Sequence, residues 1–301
     1  MREEEAEAHS RPRHVLSFDV EEHFQVAAFW SAERRLKWDR LASRVECNTL
    51  KIADLLAEYS TKATFFILGW VAERHPELVK QLASQGHEIA SHGYGHELVH
   101  TQTPAQFRED VRRSKQILED LIGRSVLGYR APSFSITSRT PWAIPVLVEE
   151  RYRYDSSIYN RFCSAEENAA TKVGAYQIET EAGSMWEISP TTMNAGGFQL
   201  PVAGGGYFRL LPYATSKLCL RSIESQGGRL VMYLHPWEID PEQPRMEGSL
   251  LSKFRHYLNL GKTEQRLRWL LRDFSFAPVS EVIGPIRDIV QRAGEYSRTA
   301  I

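Results

Sequence analysis

The stretch over residues 62–96, KATFFILGWVAERHPELVKQLASQGHEIASHGYGH, indicates the fold. A β-branched and aromatic run over residues 62–68 predicts a buried strand. A helix is predicted over residues 76–85, because a proline suits its first turn and a glycine follows it. A second strand is predicted over residues 87–91. This order is typical of parallel strands that are joined by right-handed helical crossovers.

The same alternation continues along the chain, which predicts an α/β fold, either layered or barrel-like. Further strands are predicted over residues 14–18, 127–130, 230–235 and 276–279, and further helices over residues 47–59, 104–122 and 253–274. Residues 176–206 are rich in Gly, Pro, Thr and Asn, which predicts hairpins and loops inserted late in the fold. We expect an acidic, disordered tail over residues 1–13, one domain over residues 14–283, and a helical tail over residues 284–301.

The composition excludes several classes of protein. The chain has 301 residues and a formal net charge of −1, which does not favour an electrostatic nucleic-acid or membrane-surface partner. Its three cysteines form no CxxC pair, so neither a disulfide framework nor a thiolate zinc site is indicated. No apolar run approaches the roughly 20 residues of a membrane span, and the acidic N-terminus does not resemble a secretory signal. We therefore expect a cytoplasmic protein.

The most informative motif is the pair of imidazoles at His92 and His96, just beyond the predicted strand at residues 87–91. Most isolated HxxxH pairs are surface or core histidines. Here Gly93 and Gly95 disfavour an ordinary helix face, because glycine costs about 1 kcal/mol at each helical position. Glycine also permits a tight loop whose backbone approaches an ion. The motif therefore predicts a metal site.

A cluster of carboxylates, Asp19, Glu21 and Glu22, follows the first predicted strand. It could be a solvated acidic loop, but three adjacent carboxylates repel one another and a cation would relieve that repulsion. Residues i and i+2 of a strand point the same way, so Asp19 and Glu21 would share a face and Glu22 would point away unless the strand has turned. Two histidines and one carboxylate can hold a divalent ion, and a second carboxylate can act as a base on water. This combination predicts metal-assisted hydrolysis.

Four further residues are candidates for the same rim. Arg130 could anchor a carboxylate and keep it ionised, although a strand-end arginine is more often a surface residue. His235 could donate a proton to a leaving amine. Asp155 could orient His235 or serve only as a turn cap. Trp237 could stack on a sugar face, and core packing explains it equally well.

In this order the motifs resemble those of the polysaccharide deacetylases of carbohydrate esterase family 4, also called the NodB homology domain. Residues 18–21 (FDVE) are similar to a first motif that is usually Thr-Phe-Asp-Asp. Residues 92–96 (HGYGH) are similar to the family's histidine motif, with a glycine in place of Ser or Thr. Residues 130–134 (RAPSF) and 234–235 (LH) are similar to the later motifs.

The resemblance implies a distorted (β/α)7-type barrel that binds a divalent metal, commonly zinc, with cobalt or manganese as alternatives. It implies an N-acetylated glycan as substrate. The implied site residues are as follows: Asp19, His235, Arg130 and Asp155 for catalysis; Glu21, His92 and His96 for the metal; Phe134, Trp237 and Glu22 for the substrate. Because Asp-Val-Glu-Glu replaces Asp-Asp, the ligand could be Glu21 or Glu22.

Two segments, residues 204–209 (GGGYFR) and 235–240 (HPWEID), most resemble an exopolysaccharide- and exosortase-associated branch of this family. The expected reaction is removal of N-acetyl groups from amino sugars of a bacterial exopolysaccharide or its precursor. One alternative is an allantoinase-like hydrolase of a small cyclic or linear amide, which predicts a narrow, closed pocket. A second alternative is an inactive glycan-binding relative, supported by the altered first motif.

Overall fold

The computed structural model describes residues 13–29, 31–159, 174–196 and 198–283. The strands in these residues are β1 (Arg13–Val20), β2 (Thr64–Ile67), β3 (Glu88–Ser91), β4 (Gly128–Tyr129), β5 (Tyr154–Asp155), β6 (Ala175–Thr180), β7 (Gly183–Ile188), β8 (Thr192–Ala195), β9 (Phe198–Pro201), β10 (Val231–Leu234) and β11 (Ser275–Ala277). The predicted C-terminal tail lies outside these residues. So does the predicted N-terminal tail, except for Arg13, which already begins β1.

The helices follow the predicted alternation. They are α1 (Ala32–Arg35), α2 (Val45–Glu58), α3 (Gly69–Arg74), α4 (Pro76–Ser84), α5 (Pro104–Ile122), α6 (Ala143–Glu149), α7 (Gly205–Leu210), α8 (Tyr213–Ser225), α9 (Leu250–Tyr257), α10 (Leu260–Asp273) and α11 (Val279–Val282). Short 3-10 turns occur at Ala27–Phe29, Trp38–Arg40, Val99–Thr101, Pro132–Phe134 and Pro236–Ile239. Among the residues described, no helix has both the length and the apolarity that a bilayer crossing requires.

The main sheet has the order β10-β1-β2-β3-β4-β5-β7-β6, and β11 also pairs with β1. Its pairs are parallel except for the antiparallel β6–β7 hairpin. Beyond the end of β7, the Thr191 amide donates to the Val231 carbonyl of β10 at 3.2 Å. The Tyr233 amide donates to the Ala203 carbonyl at 3.0 Å. These contacts bring the chain beyond β7 beside β10, which fits a distorted barrel, although no strand pairing among the described residues closes the sheet.

The local sequence explains the central elements. Strand β1 (RHVLSFDV) is buried at every position after the first, which suits a central strand that is covered on both faces. Helix α5 begins with a capping box between Thr103 and Gln106, has a proline in its first turn, and ends at Gly123 with φ 64°. The predicted bounds of α5 are therefore confirmed.

Two regions differ from the prediction. The helix predicted over residues 253–274 is two helices, α9 and α10, because Asn259 adopts a left-handed φ of 54° between them. The hairpins predicted over residues 176–206 are present, but β7 also pairs in parallel with β5 and so belongs to the main sheet. At the end of the same region, the glycine cluster leads into α7 instead of a loop.

Candidate active site

The predicted site residues at three strand ends line one cavity of about 310 Å³. Asp19 lies on β1 and Glu21 just after it, His92 and His96 follow β3, and His235 follows β10. Strand β1 pairs in parallel with β10 and β2, and β2 pairs in parallel with β3. The carboxyl ends of these strands therefore lie at the same end of the sheet. The topology therefore brings together residues that are far apart in the sequence.

Glu21, His92 and His96 form a compact group whose ligating atoms all lie within 4.8 Å of one another. Oε2 of Glu21 is 2.5 Å from Nε2 of His96 and 3.8 Å from Nε2 of His92. This oxygen is buried and forms no well-aligned hydrogen bond, and its contact with the His96 ring is an ion pair only when that imidazole is protonated. A buried carboxylate oxygen against neutral imidazole nitrogens is costly, and coordination to a cation would remove that cost. The donor set of two imidazoles and one carboxylate therefore fits a divalent transition metal.

Neighbouring groups fix the orientation of two of the three candidate ligands, His92 and Glu21. Nδ1 of His92 donates to the backbone carbonyl of Arg130 at 2.8 Å, which leaves Nε2 free to face Glu21. Oε1 of Glu21 accepts a hydrogen bond from Nε1 of Trp237 at 3.2 Å, which leaves Oε2 free on the side of the histidines. The unbonded atoms of these two ligands thus converge on the same point.

The loop between the two histidines depends on its glycines. Gly93 has a φ of 77°, and a Cβ atom at that position would lie 2.7 Å from Oδ2 of Asp110. The same Asp110 oxygen accepts a hydrogen bond from the Tyr94 amide at 2.9 Å. Only glycine allows the backbone to come this close to the carboxylate in a left-handed conformation. The glycines therefore form the tight loop that the sequence predicts.

Asp19 forms a buried ion pair with Arg130. Nη1 of Arg130 donates to Oδ1 of Asp19 at 2.6 Å, and both side chains are almost completely buried. The guanidinium also donates to the Ser17 hydroxyl at 2.9 Å and to the Ser156 hydroxyl at 2.8 Å. Oδ2 of Asp19 remains on the cavity side, 3.9 Å from Nε2 of His235.

His235 is held by a carboxylate that the sequence analysis did not identify, Glu238. Nδ1 of His235 lies 2.7 Å from Oε1 of Glu238. Burial lowers the pKa of His235, but the charges of Glu21, Glu238 and Asp19 outweigh this effect and raise the pKa to about 9. Nε2 of His235 faces the cavity, 3.7 Å from Oε1 of Glu21.

Glu238 is itself paired with Arg209, whose Nε donates to Oε2 of Glu238 at 2.6 Å. Burial raises the pKa of Glu238, but Arg209 and His235 outweigh burial and lower this pKa to about 2. Glu238 is therefore ionised. The signal that could have identified it is the His-x-x-Glu spacing at a turn, which is similar to a capping box.

The expectation that Asp155 orients His235 is wrong. In the described part of the chain, the lining of the cavity includes Glu238 but not Asp155. Asp155 accepts hydrogen bonds from the hydroxyl and amide of Ser157, at 2.5 and 3.2 Å. Burial raises the pKa of Asp155 to about 6, and burial together with Asp155 raises the pKa of Glu187 well above its usual range. Asp155 thus belongs to a buried pair of carboxyl groups.

The three residues predicted to contact the substrate lie in different surroundings, and the role of Phe134 stays a prediction. Glu22 is 1% exposed and accepts two hydrogen bonds from the Arg44 amide, at 3.1 and 3.0 Å, so it anchors a loop. The chain has already left the strand here, because β1 ends at Val20 and the Glu21 amide donates to the Asp19 carbonyl at 3.1 Å. Trp237 lines the cavity, but both of its ring faces are covered, so it cannot stack on a sugar. Phe134 lines the cavity and is partly exposed.

The rings that cover Trp237 are those of two histidines. The His235 ring is stacked at 4.9 Å on one face and the His256 ring at 4.2 Å on the other. His256 also lines the cavity, and burial lowers its pKa to about 3. No strand-end pattern indicates His256, because this residue lies in helix α9.

Two family models match the chain. One, described as a polysaccharide deacetylase, covers residues 35–146, and the other, described as a domain of unknown function (DUF3473), covers residues 156–284. The boundary divides the site. The histidine pair and Arg130 fall in the first region, whereas His235 and Glu238 fall in the second.

The curated relatives include bacterial deacetylases. The chain is 35% identical to a peptidoglycan-N-acetylglucosamine deacetylase of Bacillus cereus over 96 residues, which are 32% of this chain and 35% of that protein. It is 30% identical to a peptidoglycan deacetylase of Helicobacter pylori over 108 residues, 36% of each chain. It is 39% identical to a chitooligosaccharide deacetylase of Sinorhizobium fredii over 71 residues, 24% of this chain and 30% of that one. The chain thus spans about a third of the length of the curated relatives it matches.

A solved structure supports the fold over nearly the whole chain. A Mycobacterium smegmatis protein assigned to the polysaccharide deacetylases superposes with a TM-score of 0.60 at 20% identity. The superposition covers 91% of this chain and 89% of that one. The predicted fold class is therefore confirmed.

Proposed function

We propose that the chain is a divalent-metal-dependent hydrolase that removes N-acetyl groups from a glycan, because residues 35–146 match a polysaccharide deacetylase model and its curated relatives include peptidoglycan deacetylases. One observation carries this proposal. Glu21, His92 and His96 converge on one point with a buried carboxylate oxygen that forms no well-aligned hydrogen bond, and a separate carboxylate and a separate imidazole lie beside them. Metal-assisted amide hydrolysis needs such a set: ligands, a base and an acid.

Glu21, His92 and His96 are the residues that would hold the ion. When bound, a divalent metal supplies Lewis acidity toward the acetamide carbonyl and lowers the pKa of water at the site. Zinc suits this donor set, and cobalt or manganese are alternatives. Trp237 and the Arg130 carbonyl keep the ligand side chains in place through their hydrogen bonds to Glu21 and His92.

The protein's own groups move the protons. Asp19 is the general base: its Oδ1 is held by Arg130, and its Oδ2 accepts the proton of the attacking water. His235 is the general acid, and its Nε2 donates a proton to the departing amine nitrogen as the C–N bond breaks. Acetate and a free amino sugar are the products. Asp155 has no part in this scheme.

We propose amino sugars of a bacterial exopolysaccharide or its precursor as the substrate class. This proposal is supported by the similarity of residues 204–209 and 235–240 to the exopolysaccharide-associated branch. The structure adds that both segments take part in one contact, between Arg209 and Glu238. The printed activities of the curated relatives, on peptidoglycan and chitooligosaccharides, support N-acetylated glycans in general.

The test is acetate release from a panel of chito-oligomers, peptidoglycan fragments and N-acetylated exopolysaccharide repeats, with metal content measured on the same preparation. We expect acetate release that a chelator abolishes and that zinc or cobalt restores. A His92→Ala/His96→Ala double variant should release none. Activity that survives both treatments would contradict the metal role. Glycan binding without turnover under every metal would support the inactive relative, and turnover of small amides alone would support the amidohydrolase.

A further inference from the structure

We propose that two consecutive residues, Trp237 and Glu238, position the two halves of the site separately. Trp237 positions Glu21, which we take as a metal ligand, and Glu238 positions His235, which we take as the proton donor. The inference rests on the proposed function for those two roles. Neither the family resemblance nor strand-end geometry suggested a positioning role for either residue.

Trp237 selects which oxygen of Glu21 is free. Its indole N–H donates to Oε1 of Glu21 at 3.2 Å, while Oε2 lies 2.5 Å from Nε2 of His96 and forms no well-aligned hydrogen bond. The ring cannot rotate away, because His235 and His256 are stacked on its two faces and it is only 5% exposed. A rigid N–H donor therefore fixes the carboxylate with one oxygen presented to the histidines.

Glu238 holds His235 through both the backbone and the ring. Its Oε1 accepts a hydrogen bond from the His235 amide at 3.0 Å and lies 2.7 Å from Nδ1 of the ring. An ionised carboxylate at that distance keeps a proton on Nδ1, so Nε2 is the nitrogen that exchanges a proton on the cavity side. On its other side, Glu238 is held by Arg209, which also donates to the carbonyls of His256 and Leu258.

The glycine cluster supplies the space for this carboxylate. A Cβ atom on Gly205 would lie 1.9 Å from Oε1 of Glu238, so no larger residue fits without displacing it. Gly205 and Arg209 both lie in helix α7, four residues apart, and such residues share one face of a helix. Residues 204–209 and 235–240 therefore form a single structural unit around Glu238.

The experiment compares two variants with a matched control. Trp237→Phe removes the N–H donor but keeps an aromatic ring, and Glu238→Gln removes only the charge. The control is Glu88→Gln, which changes a half-buried glutamate that accepts hydrogen bonds from Thr64, Tyr154 and the Ser280 amide. For each protein, zinc affinity is measured by competition with a chromophoric chelator, and the His235 ring protons are followed by NMR in the metal-free state.

We expect Trp237→Phe to weaken zinc binding about 10- to 100-fold, because it removes a hydrogen bond to a ligand, and to keep the Nδ1–H resonance of His235. We expect Glu238→Gln to keep zinc affinity, to shift or lose that resonance, and to lower kcat at least about 100-fold with KM unchanged. Glu88→Gln should change none of these quantities. Unchanged zinc affinity in Trp237→Phe, or an unchanged His235 resonance in Glu238→Gln, would overturn the proposal.

If Glu238→Gln fails to fold because Arg209 is left without its partner, the double variant Arg209→Met/Glu238→Gln removes both charges and is measured in the same way. It should again keep zinc affinity and alter the His235 resonance, and equal loss of both would contradict separate roles. Neither the zinc titration nor the NMR measurement needs turnover. If the wild-type protein releases no acetate, the deacetylase assignment fails while these two measurements still decide the positioning roles.

Discussion

The site contains two buried arginine–carboxylate pairs that have the same N–O distance and different consequences. Arg130 donates to Asp19 at 2.6 Å, and Arg209 donates to Glu238 at 2.6 Å. In the first pair, the second carboxylate oxygen faces the cavity and His235. In the second pair, the other oxygen is already bonded to the His235 ring and amide. The chemical role of each carboxylate therefore depends on the contacts of its second oxygen, the one that does not bind the arginine.

The two pairs also divide the chain. Asp19 and Arg130 belong to the part that is recognisable from strand-end motifs, with Arg130 inside the deacetylase-like region. Arg209 and Glu238 belong to the region that matches a family of unknown function. In the proposed mechanism, the first part would supply the metal ligands and the base, and the second would supply the acid and its support. Substitutions in each pair test this division.

The largest expected effect is on the free oxygen of the first pair. Asp19→Asn keeps the shape and removes the acceptor charge, so we expect kcat to fall about 10²- to 10⁴-fold, the usual contribution of a general base. Zinc affinity should remain, because Asp19 is not in the ligand group. Measuring acetate release and zinc affinity on the same preparation checks both. Wild-type activity in this variant would mean that another group takes the proton of water.

The next effect is on stability and tests whether the two pairs are equivalent inside the fold. Arg130→Met and Arg209→Met each leave a buried carboxylate without its partner, so we expect each to lower the free energy of unfolding by about 3–5 kcal/mol. Urea denaturation monitored by fluorescence measures this. A loss below about 1 kcal/mol in either variant would be the size expected of an exposed pair and would contradict its burial.

The smallest effect on activity concerns Asp155. Because Glu238 rather than Asp155 contacts His235, Asp155→Asn should leave the activity close to that of the wild type. A loss of activity as large as that of Glu238→Gln would mean that Asp155 does support His235.

Asp155 should instead affect the pH dependence of stability. Burial raises the pKa of this carboxyl from 3.8 to about 6 in the folded state. The folded protein therefore holds this proton more tightly than the unfolded chain, and the associated stability is lost as the pH rises from about 4 to about 6. Asp155→Asn lacks this titration. The difference in unfolding free energy between the variant and the wild type should therefore shift in favour of the variant as the pH rises through that window. Denaturation at several pH values measures this, and a constant difference would contradict it.

Much of the site could be predicted because strand geometry is regular. Asp19 lies on β1 and Glu21 follows its end, and parallel pairing brings the end of β1 beside the ends of β10 and β2. His92 and His96 follow from the same rule. Among the described residues, Glu21 and not Glu22 joins the two histidines in a compact group, which favours Glu21 as the ligand.

The partner of His235 and the surroundings of Trp237 depend on conformations and tertiary contacts that strand patterns do not reveal. The partner of His235 is determined by the 3-10 turn at Pro236–Ile239, because residues i and i+3 of such a turn eclipse one another. Nothing in the preceding strand predicts that turn. The covered faces of Trp237 depend on His256 from α9, a tertiary contact with no local signal. Sequence patterns therefore predicted the strand-end residues and missed those on turns and helices.

The most direct test of the central claim is zinc stoichiometry and affinity in Glu21→Ala and Glu22→Ala, neighbouring substitutions with opposite expected outcomes. We expect the wild type and Glu22→Ala to bind one zinc ion per chain with similar affinity, and Glu21→Ala to lose tight binding. Loss of zinc in Glu22→Ala with retention in Glu21→Ala would contradict the arrangement of Glu21, His92 and His96 around a shared cation.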